Sequence, residues 1–230
     1  MTQSVDLANA INSFVKGCKT DGTWDAIKAC CIMAAWDGLD GALYPLKGPA
    51  PTNFNFVSAD YNRETGLVGD GSTKYLDSNR NNNADPQNNK HLSVYRTSDH
   101  IGDKRYAGSA SVGSSGYSLL GHVTSSNSNY VGANRVSNFS PITVSFAPGL
   151  FAVSRNLSSE EVMRVSGGNT TLYIASATPV NSTLTIFASA GPLNISEARL
   201  SFYSIGESLD LALLDNRVST LMTDIGAAIP

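Results

Sequence analysis

Two adjacent acidic residues, Glu160 and Glu161, are the first place to look for chemistry, because glycoside hydrolysis runs on a pair of carboxylates. They stand in Asn156-Leu157-Ser158-Ser159-Glu160-Glu161, which reads as a turn between strands, with Ser158 and Glu161 spaced as a capping box. Catalytic acids on a strand would alternate, acidic-x-acidic, so that both side chains enter one groove, and no strand here has that pattern. A Ser/His/Asp triad fares no better. Gly113-Ser114-Ser115-Gly116 lacks the spacing of a nucleophile elbow and sits in a Ser-rich turn between short strands, while His91, His100 and His122 are scattered. Gly69-Asp70-Gly71-Ser72-Thr73 has neither the Gly-Lys-Ser/Thr nor the helix that would aim backbone amides at phosphate, so it reads as a tight turn. Neither an enzymatic activity nor a cofactor is expected. A calcium ion on a loop, at Asp70 or Asp77, is the one metal alternative.

The cysteines Cys18, Cys30 and Cys31 crowd into the start of the chain, an odd and clustered set that is no disulfide framework. No His or further Cys lies at ligand spacing, so they read as reduced, small apolar residues that pack helices. The remaining candidates are aromatic. Tyr95, Tyr106, Tyr117, Tyr130 and Tyr173 fall in or beside strands. Such rings can stack on sugars, with neighbouring Asn and Ser supplying hydrogen bonds, and are equally at home as cross-strand packing.

The elements that must position these residues are of two textures. Leu7, Ile11, Phe14, Val15 and Cys18 recur at helical spacing after a cap at Ser4, and Gly17 lies near that helix's end. Thr23 then caps an expected second helix, with Trp24, Ile27, Cys31 and Ala34 or Ala35 on one face. A Gly- and Pro-rich extended segment runs on to about Asp60. From about Gly66 to Gly206 period-2 runs take over: Leu92-Val94-Arg96, Ile142-Val144-Phe146, Leu172-Ile174, Leu184-Ile186-Ala188 and Leu200-Phe202-Ser204. Met163 to Thr170 is the best local hairpin, with Gly167 and Gly168 free to take positive φ. Ser78–Asn89 and Ser125–Asn129 read as polar loops that bury nothing. So many short strands with no helices between them predict a mainly β fold, an antiparallel two-sheet sandwich. At the end, Leu211, Leu214, Val218, Leu221 and Ile225 step by three and four, a heptad seam that either docks on its own sandwich or is shared between subunits.

Composition narrows the partners. Of 230 residues only 15% are charged, with 16 Lys and Arg against 19 Asp and Glu, a net charge of −3. That balance excludes nucleic acid, which needs clustered cations to displace counterions. No apolar run is long enough to insert in a membrane, and no basic stretch leading into an apolar one marks a signal peptide. A hydrophobic share of 41% supports a full core.

Gly66-Leu67-Val68-Gly69-Asp70-Gly71-Ser72-Thr73-Lys74-Tyr75-Leu76-Asp77 resembles the opening strand of the concanavalin A-like (laminin G-like) modules of tailed-phage virion proteins. His91–Thr97 is similar to their next strand, and Gly149-Leu150-Phe151-Ala152-Val153-Ser154-Arg155-Asn156 to their strand ending in Arg-Asn. Ser201–Gly206 with the helix after it resembles their usual close. The opening helix with Lys19-Thr20-Asp21-Gly22 and Trp24 is similar to the segment that precedes such modules. The resemblance implies a jelly-roll sandwich on a virion, assembled in the host cytoplasm, with capsid or tail proteins as partners. Glucanases of the wider superfamily carry a catalytic acidic-x-acidic strand that is missing here, so hydrolysis is not implied. Most such phage proteins are longer, which favours a compact accessory protein docked through its own helices.

The expectation is therefore a docking segment over 1–60, a jelly-roll β-sandwich over 61–206 and a helix over 207–230. Its expected function is that of a non-enzymatic virion surface protein, a capsid decoration or tail component. It would form a homo-oligomer through Leu211, Leu214, Val218, Leu221 and Ile225, in an interface on the order of 2,000 Å². The alternative is a lectin-like module of a tail fibre or spike that binds host-surface glycans through Tyr95, Tyr106, Tyr117 and Tyr130.

Overall fold

The computed structural model describes residues 2–98, 104–110, 114–123, 128–136, 147–191 and 193–229. In chain order the elements are α1 (Thr2–Thr20), β1 (Ile27–Ile32), a single turn α2 (Leu39–Ala42), β2 (Pro45–Lys47), β3 (Thr52–Phe54), β4 (Tyr61–Asn62), β5 (Gly66–Val68) and β6 (Tyr75–Asn81). They continue with β7 (Lys90–Arg96), β8 (Lys104–Gly108), β9 (Tyr117–Val123), β10 (Ser128–Arg135), β11 (Gly149–Arg155) and β12 (Glu161–Val165). The last are β13 (Gly168–Leu172), β14 (Thr183–Ile186), β15 (Arg199–Gly206) and α3 (Leu211–Ala228). The strand expected at Ile142-Val144-Phe146 lies outside the described residues.

Two antiparallel sheets pack face to face, as the strand pattern predicts. Sheet A runs β13-β12-β11-β7-β15-β1-β2, with β5 on β15 and β4 on β5, and sheet B runs β10-β9-β8-β14-β6-β3. Leu92 and Val94, Phe151 and Val153, Tyr203 and Ile205 meet Leu76, Leu120, Leu184 and Ile186 in the core between them. The β12–β13 hairpin turns where expected, but the two positive-φ residues are Ser166 and Gly167, while Gly168 opens the strand. That pair matches the right-handed twist of the strands it joins.

The expected second helix is a strand. Ala29, Cys31 and Met33 face the inter-sheet core, while Ile27, Cys30 and Ile32 face the helices, and β1 pairs with β15. A strand buried on both faces reads as a continuous apolar run, which is how it came to resemble a helix. Consequently residues 1–60 do not form a separate docking unit, because β1 and β2 lie in sheet A and β3 in sheet B.

The outer face of sheet A is covered by α1 and α3. Phe14 meets Phe202 edge-on at 5.8 Å, and Leu150, Ala152 and Ile32 lie in the same cluster as the α3 seam. Leu211, Leu214, Val218, Leu221 and Ile225 are all buried in that cluster, so the heptad seam is internal and offers no surface to a second chain. Asp210 caps α3 by accepting from the amides of Ala212 and Leu213 at 2.8 and 3.1 Å. The two helices approach so closely that a Cβ on Gly17 would lie 2.7 Å from Arg217 Nε. Arg217 in turn grips Asp21 with two bonds of 2.6 and 2.9 Å. The three cysteines are free and buried, and burial pushes the Cys30 thiol up to about 12.

The Asn-rich stretch from Ser78 is not a solvated loop. Asn82 is buried and donates to Gly116 O at 3.0 Å and Asn134 Oδ1 at 2.9 Å, while Asp85 pairs with fully buried Lys90 at 2.7 Å and with Arg80. Polar residues are buried here because each finds a partner.

Candidate functional site

The sequence candidates disperse. Glu161 lies in β12 rather than in a turn, and its carboxylate is buried against Arg155 at 2.9 Å and Arg135 at 3.3 Å while accepting from Ala133 N at 2.9 Å. A carboxylate held between two guanidinium groups is structural, since removing a partner would strand a buried charge. Asp70 is a turn residue. Its Oδ1 accepts from the amides of Ser72, Thr73 and Lys74 and its Oδ2 from the Thr73 hydroxyl. Burial opposes ionisation of that carboxyl, but the hydrogen bonds prevail and hold it well below the usual carboxylate range. Among the described residues no three His, Cys, Asp or Glu gather as metal ligands.

The tyrosines split by face. Tyr106 is fully buried in the core, edge-on to Phe151 at 6.0 Å with the Arg96 guanidinium 5.3 Å from its ring, so it cannot meet a sugar. Tyr117 is buried with Ala110 and Leu119. Tyr95 packs against the helix-side cluster. Tyr130 stays on the outer face of sheet B, half-buried, with Arg105 at 3.8 Å over its ring. Alternation within a strand told these residues apart from their neighbours but could not tell which sheet face a helix would later cover.

The outer side of sheet B is exposed at β3 and β6, whereas towards β14 and β9 the outward Thr185 and Leu119 are buried, Leu119 in a cluster with Ala110, Tyr117, Tyr130 and Val180. The apolar side chains of α1 and α3 cluster with sheet A residues alone, leaving the outer side of β3, β6 and β14 without a helical cover. Leu76 points to the core, so its neighbours Tyr75 and Asp77 point out. Register then places Phe54 opposite Tyr75, Thr52 opposite Asp77, and Thr185 opposite Asp77 on the other side. The Phe54 and Tyr75 rings stack at 4.3 Å and nearly parallel, and Phe54 keeps 37% of its surface exposed.

Around this aromatic ledge stands a set of hydrogen-bonding groups. Asp77 Oδ2 accepts from the Thr183 hydroxyl at 2.8 Å, and its Oδ1 accepts from Asn79 N at 2.8 Å. Asn79 Nδ2 donates to Thr52 Oγ1 at 2.9 Å and Ala50 O at 2.8 Å, which ties β3 to β6. Beyond β3, Asn55 takes φ 67 and donates to Thr73 O at 2.9 Å. Next to Tyr75, Lys74 pairs with Asp60 at 2.6 Å, and Asp60 Oδ2 accepts from Val57 N at 2.8 Å. The ledge is therefore pre-formed rather than dependent on a ligand to order it. Sequence reasoning missed it because β3 sits among Pro and Asn in a segment that read as a loop. The available signal was Phe54 alternating with Asn53 and Asn55, an aromatic at a position facing water.

An aromatic surface beside hydroxyls, an amide and a carboxylate matches a polyhydroxylated ligand: the C–H face of a sugar ring stacks on the aromatic, and its hydroxyls donate to and accept from the polar groups.

No family model matches this chain, and no curated protein is similar to it in sequence. Solved structures do share its fold. The crystal structure of the HCR/D W1238A mutant aligns with TM-score 0.56 at 13% identity, over 85% of this chain and 52% of that one. The binding domain of botulinum neurotoxin serotype D aligns with TM-score 0.50 at 11% identity, over 85% and 51%. A Trypanosoma rangeli sialidase in complex with 2,3-difluorosialic acid aligns with TM-score 0.56 at 10% identity, over 94% of this chain and 38% of the sialidase. The chain spans about half the length of the first two and less of the third. At such identities the likeness is one of fold: a β-sandwich.

Proposed function

We propose that this chain is a non-catalytic carbohydrate-recognition module that holds glycans on the exposed part of sheet B. The observation that carries the reading is the Phe54–Tyr75 stack, with Phe54 exposed and Tyr75 half-buried, beside Thr52, Asp77, Asn79 and Thr183 on the outer side of β3 and β6. The fold it shares with a toxin binding domain and with a sialidase that holds a sialic acid derivative supports the reading at the level of architecture. Glu161, enclosed by two arginines, is a structural carboxylate and lends catalysis no support.

A glycan array probed with the native chain and with a Phe54→Ala/Tyr75→Ala variant tests this. The native chain retains at least one glycan and the variant loses it. Retention of no glycan, or unchanged retention by the variant, refutes the proposal, and turnover of a retained glycan refutes its non-catalytic part.

The setting we propose follows the resemblance to tailed-phage modules, a virion surface where neighbouring capsid or tail proteins hold the sandwich and its ledge meets host glycans. Labelling of intact particles with an antibody to this chain would place it on the capsid or tail, and the absence of label would remove that setting. Self-association through the α3 seam is not part of the reading, because those leucines are already spent on the chain's own core.

A further inference from the structure

A cleft of about 440 Å³ opens on the opposite side of the molecule, on the outer face of sheet A just beyond the first turn of α3. Val162, Leu209 and Leu211 give it an apolar floor, and Ser154, Asn156, Asn169, Ser208 and Asp210 supply its polar lining. Several of those groups are already committed. Ser154 Oγ donates to Leu209 O at 2.9 Å and accepts from Leu209 N at 3.1 Å, and Ser208 Oγ donates to Asn89 Oδ1 at 2.7 Å. These bonds fix the wall. Three groups are left to face the space. Asn156 makes no side-chain hydrogen bond among the described residues. Asn169 has its oxygen taken by Arg164 at 2.9 Å and its NH2 group left over. Asp210 uses Oδ1 to cap α3 and keeps Oδ2.

We infer that this cleft is a second ligand site, for a small uncharged polyol of the monosaccharide class. Two amide NH2 groups donate, the Asn156 oxygen and Asp210 Oδ2 accept, and the apolar floor takes the C–H side of the ring. The volume falls within the range of small-molecule sites, about 300–1,000 Å³. An anion is disfavoured because Asp210 is the only charged residue of the lining among the described residues and already occupies the amides at the head of α3. A purely apolar ligand would strip water from the amides and the carboxylate without replacing their hydrogen bonds. The inference does not rest on the ledge of sheet B, which lies on the other sheet.

The test is a two-dimensional amide NMR titration of the full chain with the methyl glycosides of glucose, galactose, mannose and N-acetylglucosamine, with glycerol as a comparison. The expected result is a saturable shift of the Asn156 and Asn169 side-chain NH2 signals and of the Leu211 amide with at least one glycoside. The shift persists in the Phe54→Ala/Tyr75→Ala variant. In Asn156→Ala, a surface change that leaves the rest of the spectrum in place, affinity falls roughly fivefold to tenfold, the worth of one lost hydrogen bond. No saturable shift at these signals, an equal response to glycerol, or an unchanged affinity in both Asn156→Ala and Asn169→Ala overturns it. Loss of the shift in the ledge variant would show one site where two are inferred.

Discussion

Sheet A turns its outer side to two helices, and Cys30, Ala152 and Phe202 lie fully buried beneath them; sheet B turns Thr52, Phe54, Asp77 and Asn79 to solvent. Both faces belong to one sandwich and are built from strands of similar length, yet one is spent on stability and the other is left for contact. The difference lies in outward-facing residue types. On sheet A they are Ile, Cys, Ala, Phe and Leu, which gain by being covered, whereas on β3 and β6 of sheet B they are hydroxyls, amides and a carboxylate around one aromatic pair, which lose little by staying wet.

The comparison breaks most severely if the helix cover is removed. Leu214→Asp places a charge in the apolar cluster between α3 and sheet A, and the chain is expected not to fold; Leu214→Ala, which only opens a cavity, should cost about 2–5 kcal/mol in chemical denaturation. If instead Leu214→Asp left a folded chain whose only change was loss of an oligomer, the seam would be an intermolecular one and the contrast between the faces would fail. Next in size is Arg155→Met. It leaves Glu161 with Arg135 alone in a buried site, and a loss of about 3–5 kcal/mol is expected by the same assay.

Sheet A also carries a pH dependence. His91 is buried, with Nδ1 2.6 Å from Glu207 O and Nε2 2.9 Å from Ser204 Oγ, and burial pushes its pKa down to about 4. The unfolded chain would take up that proton near pH 6.5, so the folded state loses stability as pH falls from about 6.5 towards 4. The loss is about 3 kcal/mol at the low end. Denaturation midpoints followed across this window should flatten in His91→Gln if that variant folds, whereas an equal slope in both chains would assign the effect to other groups.

The smallest stability changes belong to the exposed side of β3 and β6. Phe54→Ala should move the unfolding free energy by about 1 kcal/mol or less, because its ring is exposed and bonded to nothing beyond the Tyr75 stack. Asp77→Asn should leave the fold intact while weakening any glycan whose hydroxyls donate to that carboxylate.

What was legible in the sequence follows the same division. The sandwich, the β12–β13 hairpin, α1 and α3 all announced themselves through periodicity, because each has one face in the core and one unlike it. β1 did not, since Ile27 to Ile32 is apolar towards both the core and the helices and has no polar face to set its period. The Asn-rich stretch misled for the reverse reason: composition reports what a side chain would prefer alone, and Asn82, Asp85 and Lys90 are buried as partners. Tyr106 and Tyr75 are both strand tyrosines, and only register against Phe54 and the placement of Leu76 separates the one in the core from the one on the ledge.

The most direct test of the account compares three proteins on an immobilised glycan that the native chain retains: the native chain, Phe54→Ala/Tyr75→Ala, and Tyr173→Ala, which removes a tyrosine that is 80% exposed but lies just beyond β13 on sheet A. The account predicts that retention disappears in the ledge variant and survives in Tyr173→Ala. Retention that survives in the ledge variant and disappears in Tyr173→Ala would contradict it.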